Sequence, residues 1–158
     1  MEDKNYSMFS APVSGKIYPL RDSLDEAVAQ GFLGRGILIL PEDNIVYSPC
    51  HGQVVLVYPT KHAIIIKSDD GIAVLVHLGM NTAELNGEGF TVHVKDGDYI
   101  EQGQKLLEFD LAFLKDSKLS LLSPIVFPNL NDLDFMSVLH LGEAAANEPL
   151  VMICKKDD

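Results

Sequence analysis

The sequence predicts an all-β fold, an antiparallel sandwich or barrel carrying a few short helices. Three observations lead there. Short β-branched runs recur along the chain, each bounded by Gly, Pro, Asp or Asn. Helical periodicity is weak and local. One internal repeat points to two related halves. The 158 residues, 47% hydrophobic and 22% charged, have the composition of one globular core. With no Ser/Gly-rich or Pro-rich divider, the chain reads as a flexible tail over 1–7 and a single domain over 8–158.

The expected strands, in order, are 36–40, 53–57, 62–66, 72–76, 89–94 and 105–109. Three short helices are expected between them. Ser23 caps a turn through Gln30 with Glu26 at the capping-box offset; Asp110 to Lys118 forms the second and Asp132 to Leu139 the third. The repeat sets Ser10-Ala11-Pro12-Val13-Ser14-Gly15-Lys16-Ile17 against Tyr47-Ser48-Pro49-Cys50-His51-Gly52-Gln53-Val54, with Ser123-Pro124-Ile125-Val126 as a partial third copy. Proline removes a ladder donor at a strand start and glycine permits a tight turn, so each copy is expected to begin a hairpin.

Charge narrows the function. Twelve basic against 23 acidic residues give a net charge of -11, which repels phosphate backbones and anionic lipid headgroups. Nucleic acid and membrane surfaces are poor partners for such a chain. Two cysteines, Cys50 and Cys154, make no disulfide framework. The first residues show no apolar signal region and no apolar run is long enough to span a bilayer, so a cytoplasmic protein is expected.

The most informative segment runs from Thr60 to Gly79, two apolar strands around Ser68-Asp69-Asp70-Gly71. It reads as a hairpin. A loop of Ser68 to Gly71 places Lys67 opposite Ile72 and His62 directly opposite His77; a tighter Asp70-Gly71 turn makes the histidines diagonal on the same face. If the first strand continues back past Pro59, Tyr58, Thr60, Leu75 and His77 share that face, and Thr60 is placed to hydrogen-bond an imidazole. A lone histidine on an apolar strand is usually a satisfied structural residue. Two facing each other are costly, because a second proton makes a like-charge pair. A zinc site needs a third and usually a fourth ligand, and the segment offers no carboxylate or thiol on that face. His51, His93 and His140 read as surface or structural.

Together with Ala11-Pro12-Val13-Ser14-Gly15, Leu33-Gly34-Arg35-Gly36, Thr60-Lys61-His62-Ala63, Val76-His77-Leu78-Gly79-Met80-Asn81-Thr82, Glu84-Leu85-Asn86-Gly87-Glu88-Gly89-Phe90 and Glu108-Phe109-Asp110-Leu111, this segment resembles the glucose-type IIA components of the bacterial phosphoenolpyruvate-dependent sugar phosphotransferase system. The likeness covers roughly Phe9 to Lys155. It implies an antiparallel β-sandwich of the duplicated hybrid-motif type. It implies that His77 is the phosphorylated histidine, that His62 stabilises the phosphoryl group, and that Thr60 supports His62. The implied donor is the histidine phosphocarrier protein and the implied acceptor a sugar-specific IIB domain of a membrane permease, with no cofactor and no metal.

The rim that meets these partners is implied to include Asp25, Val28, Tyr58, Leu75 and Asn81. Asn81 stands where many members carry Asp, and Val28 and Leu75 where aromatic residues are common. By the resemblance, Nε2 of His77 attacks while backbone near Gly79 holds Nδ1–H, and His62 donates to the phosphoryl oxygens. The chain has no phosphate-binding loop of the ATP-binding kind, which fits transfer between proteins. Two alternatives differ in class. One is a zinc metallopeptidase on the same barrel, against which the absence of any His-x-His weighs. The other is a regulatory module whose phosphorylation controls a partner without onward sugar transfer.

Overall fold

The β-branched runs become strands that pair antiparallel throughout. The computed structural model describes residues 6–156. Its strands are β1 Tyr6–Ser10, β2 Gly15–Pro19, β3 Arg35–Pro41, β4 Ile45–Tyr47, β5 Gly52–Val57, β6 Ala63–Ser68 and β7 Ala73–His77. The second half adds β8 Phe90–Val92, β9 Tyr99–Ile100, β10 Lys105–Phe109, β11 Ser123–Phe127, β12 Phe135–Val138, β13 Gly142–Ala144 and β14 Pro149–Cys154. The helices are α1 Glu26–Ala29 and α2 Leu111–Asp116, with 3-10 turns at Leu20–Asp22 and Thr82–Leu85. Among the described residues no helix is long and apolar enough to cross a membrane.

One eight-stranded sheet in the order β13-β2-β3-β11-β7-β6-β5-β9 is joined by two three-stranded sheets, β1-β14-β12 and β4-β10-β8. Ile39 and Ile64 of the large sheet, Phe9 and Ile153 of the first small sheet and Val46 and Leu107 of the second all belong to one buried cluster. The core therefore lies where the three sheets face each other. Phe9 meets Phe127 edge-on at 4.9 Å across it.

The repeat has a structural basis. Gly15 opens β2 and Gly52 opens β5, and a Cβ at either would lie 2.2 Å from a neighbouring carbonyl, Leu40 O or Lys67 O. The segments preceding the two glycines also bond each other reciprocally, Ser10 N to Pro49 O at 3.0 Å and Tyr47 N to Pro12 O at 2.7 Å. The third copy is not a hairpin start: Pro124 lies inside β11, opposite Leu38 of β3, and the pairing of β11 with β7 involves Ile125 and Val126. Proline is tolerated there because the β7 side of the ladder does not reach it.

Three further expectations change. Asp132 to Leu139 is not a helix, because Phe135 to Val138 pairs with β14 as β12. The carboxylate of Asp134 accepts from the amides of Asn131 and Lys156, turning the chain into that strand. Asp25, not Ser23, caps α1 by accepting from Val28 N at 3.1 Å, while Ser23 Oγ accepts from Asp25 N. Tyr6 and Ser7, expected in the tail, pair with Cys154 and Ile153; residues 1–5 lie outside the described residues.

Candidate functional site: a histidine pair on the outer face of the large sheet

The β6–β7 hairpin is apolar on both faces. Ile64, Ile66, Val74 and Val76 point into the core. Ala63 and Leu75, with Val126 of β11, form a second buried cluster on the opposite face, against which Leu20, Tyr58 and Ile65 pack. Two faces of this kind explain why the hairpin reads as unbroken apolar runs rather than strict alternation. His77 shares the outer face with Leu75 and ends β7 at its rim.

The register differs from both expected alternatives. Ala63 opposes His77 and Lys67 opposes Ala73, an odd shift that would put a strand residue at position 62 on the inner face. Ser68 N donates to Ile72 O at 2.8 Å, so these two residues oppose each other and the turn is Asp69 to Gly71, tied by Ser68 Oγ accepting from Ile72 N at 3.1 Å and Ser68 O from Gly71 N at 2.8 Å. His62 nevertheless meets His77, because it precedes β6 and alternation does not bind it. β5 ends at Val57, so Tyr58 and Thr60 do not lie on a continuing strand. Instead Tyr58 O accepts from Lys61 N at 2.8 Å, and Lys61, with φ of 67°, carries the chain round to His62. The backbone then rejoins the hairpin, Leu78 N donating to His62 O at 2.9 Å.

The two imidazoles stand edge-to-face with centroids 4.7 Å apart. Tyr58 packs edge-on against both, at 5.4 Å from His62 and 6.5 Å from His77. His62 Nδ1 and Thr60 Oγ1 share a hydrogen bond of 2.9 Å. His77 Nδ1 lies 2.7 Å from Gly79 O. A carbonyl only accepts, so the proton of a neutral His77 sits on Nδ1 and the lone pair on Nε2. Burial lowers the pKa of both rings. For His62 burial acts first and the neighbouring His77 second, bringing it to about 4. For His77 burial dominates, opposed by the Gly79 carbonyl and by the Asp25 carboxylate. Near pH 7 both are therefore neutral. No buried side-chain nitrogen or oxygen among the described residues lacks a partner, and the hydrogen bonds of both rings are made through Nδ1, so the Nε2 atoms reach solvent.

Gly79 is itself held in place. Its φ is 69°, and a Cβ there would lie 2.8 Å from Ser120 O and 2.9 Å from Thr82 Cγ2. Its amide donates to buried Ser123 Oγ at 2.9 Å, and Thr82 Oγ1 donates to Leu78 O at 2.6 Å. Ser123 and Thr82 thus fix the carbonyl that fixes the His77 tautomer, and sequence reasoning gave neither this role. Thr82 sat inside a quoted motif. Ser123 opens the partial third copy of the repeat, but nothing local in sequence ties it to Gly79, 44 residues away.

Of the expected rim, Leu75 is 8% exposed and Tyr58 half-buried, both beside the histidines. Asp25 caps α1 and acts on His77 through its field. Asn81 is exposed with φ of 61°, a left-handed conformation that asparagine tolerates. Val28 is 1% exposed and offers no surface to a partner; it anchors the underside of α1. Elsewhere, His93 and His140 pair with Glu108 and Glu148, and His51 Nδ1 accepts from Gln102 N. Among the described residues no group of three or more His, Cys, Asp or Glu gathers as metal ligands do.

Known proteins resemble this chain in sequence and fold. The family model for the phosphoenolpyruvate-dependent sugar phosphotransferase system, EIIA 1, matches residues 7–133. Over 142 residues, 90% of this chain and 86% of the relative, the chain is 38% identical to the PTS system glucose-specific EIIA component of Oceanobacillus iheyensis. Among solved structures, the glucose permease IIA from Mycoplasma capricolum superposes with a TM-score of 0.89 at 31% identity, over 96% of this chain and 99% of that one.

Proposed function

Because the chain belongs to the EIIA 1 family of the phosphoenolpyruvate-dependent sugar phosphotransferase system, we propose that it is a phosphocarrier whose His77 takes a phosphoryl group at Nε2 from the histidine phosphocarrier protein and passes it to a sugar-specific IIB domain. The observation that carries this reading is the 2.7 Å bond between His77 Nδ1 and Gly79 O, which leaves a lone pair on a solvent-reaching Nε2.

Transfer requires an in-line nucleophile and neutralisation of charge more than covalent chemistry by other groups. His77 Nε2 forms a new N–P bond as the donor's P–N bond breaks, and the donor imidazole keeps the electron pair. The neutral ring is available for attack because burial resists its protonation. As it becomes phosphorylated, its charge is stabilised by the Gly79 carbonyl opposite. His62, held at Nδ1 by Thr60, presents its Nε2 side beside the incoming group. With the Thr60 hydroxyl donating, His62 Nε2–H donates to a phosphoryl oxygen and offsets part of a charge of about -1.5 to -2. Asp25, Tyr58, Leu75 and Asn81 form the surface against which the partners dock. The reading places the protein in the cytoplasm, where phosphoenolpyruvate feeds the relay.

The test is a two-stage transfer assay. With phosphorylated carrier, wild type becomes labelled on His77, His77→Ala takes no label, and His62→Gln takes label but passes it slowly to a IIB domain. Label on His62 with His77 unmodified reverses the roles. Full phosphorylation of His77 with no transfer to any IIB domain leaves the regulatory alternative in its place.

A further inference from the structure

The chain carries two arginines, Arg21 and Arg35, against a net charge of -11. Both line one cavity of about 510 Å³, bounded by the turn after β2, the end of α1, the start of β3, β12 and the segment His140–Leu141. Among the described residues no carboxylate oxygen lies within ion-pair distance of either guanidinium. Arg35 Nη2 donates to Asn131 O at 2.9 Å, which orients the fork, and its other donors make no protein hydrogen bond among the described residues. Arg21 is exposed and makes no protein hydrogen bond among the described residues. Two carboxylates near the cavity are hydrogen-bonded elsewhere. Glu148 takes His140 Nε2 at 2.6 Å and the amide of Ala145. Asp134, which feels the field of Arg35, accepts from the amides of Asn131 and Lys156.

An acidic protein repels anions over most of its surface, so two guanidiniums at one concavity, neither ion-paired among the described residues, oppose that repulsion locally. The volume falls within the range of small-molecule sites, about 300–1,000 Å³. Leu20, Ile37, Met136 and Val138 supply an apolar wall. A carboxylate occupies one guanidinium fork; a phosphate dianion has three oxygens and can meet two. We propose that this cavity binds a small organic phosphate monoester, its dianion between Arg21 and Arg35 and its carbon body against that wall. The site is separate from the histidine pair, and binding is reversible with no covalent step. Leu20 lies on this wall and also packs against the Ala63–Leu75–Val126 cluster that flanks the pair.

Amide NMR titration of the full chain tests this, with phenyl phosphate as the probe and phenol and inorganic phosphate as its two halves. Phenyl phosphate is expected to shift the amides of Gly31, Arg35 to Ile37 and Val138 to Leu141 saturably, with phosphate roughly 10-fold weaker and phenol inert. Arg21→Gln removes an exposed side chain without protein bonds, so the fold persists, and binding is expected to weaken about 10-fold or more. The proposal is overturned by an absence of shifts up to about 10 mM probe, by undiminished binding in Arg21→Gln, or by shifts confined to Thr60–Ala63 and Leu75–Asn81.

Discussion

Replacing His62 by glutamine should make the protein less stable near neutrality and more stable in acid. His62 is 3% exposed, and burial followed by the neighbouring His77 lowers its pKa from 6.5 to about 4. A folded-state pKa below the unfolded one means that the unfolded chain takes the proton first. Stability is therefore full above about pH 6.5 and falls as the pH drops toward 4, where the loss is complete. At about 1.4 kcal/mol per pH decade the loss has a ceiling of ~3 kcal/mol. About 2 kcal/mol is the expected figure once solvent screening at the Nε2 edge is allowed for. Glutamine does not titrate. It disturbs the 2.9 Å bond with Thr60, which costs about 1 kcal/mol at pH 7. The stability curves of wild type and His62→Gln should thus cross between pH 4 and 6.5. Urea unfolding at closely spaced pH values gives the midpoints, and their product with the slope gives the free energies. Removing His62 also relieves His77 of a like-charge neighbour in acid, which favours the crossing, so parallel curves without one would refute the claim that His62 is held neutral by burial.

Three other outcomes follow from the same geometry. Asp25→Asn should keep the α1 cap, since the two residues cap equally well, while His77, losing the carboxylate that raises its pKa, titrates lower; an unchanged His77 titration by ring-proton NMR would show that the charge is not felt at the site. Gly79→Ala should cost at least ~1–2 kcal/mol from the left-handed backbone alone, and should also slow phosphoryl acceptance by displacing the carbonyl on His77 Nδ1. Wild-type stability and initial rate in that variant would contradict the role given to Gly79. Asn81→Asp should speed transfer from the carrier at low salt by the equivalent of about 0.2–1 kcal/mol, an advantage that disappears once screening falls to about 8 Å. Stopped-flow mixing at two salt concentrations reads it, and an unchanged or slower low-salt rate would mean that Asn81 is a fitted contact.

Much of this molecule was legible in its residues, and the failures share a cause. The repeat was readable because its glycines are packing constraints: Gly15 and Gly52 each face a carbonyl where no Cβ fits. Six strands, β3, β5, β6, β7, β8 and β10, were readable from β-branched runs, whereas β1, β4, β12, β13 and β14 were not. Asp132 to Leu139 misled because Leu133 and Met136 have helical spacing, yet pairing with β14 outweighs that local preference. The meeting of His62 and His77 was legible, but the register expected to bring them together is not the one in the fold, where Ala63 opposes His77. Composition does not fix turn length, and Ser68 pairs with Ile72 to close a three-residue turn. Only the left-handed Lys61 restores the encounter. Ser123 lay beyond reach because its bond to Gly79 joins segments 44 residues apart.

We propose that Nε2 of His77 receives the phosphoryl group because Nδ1 is committed to Gly79. It is tested most directly by heteronuclear NMR of ring-labelled protein before and after phosphorylation by the carrier. The expected result is a neutral His77 with its proton on Nδ1 beforehand and a phosphorus coupling to Nε2 of the same ring afterward. Phosphorus on Nδ1 of His77, or on either nitrogen of His62, would contradict it.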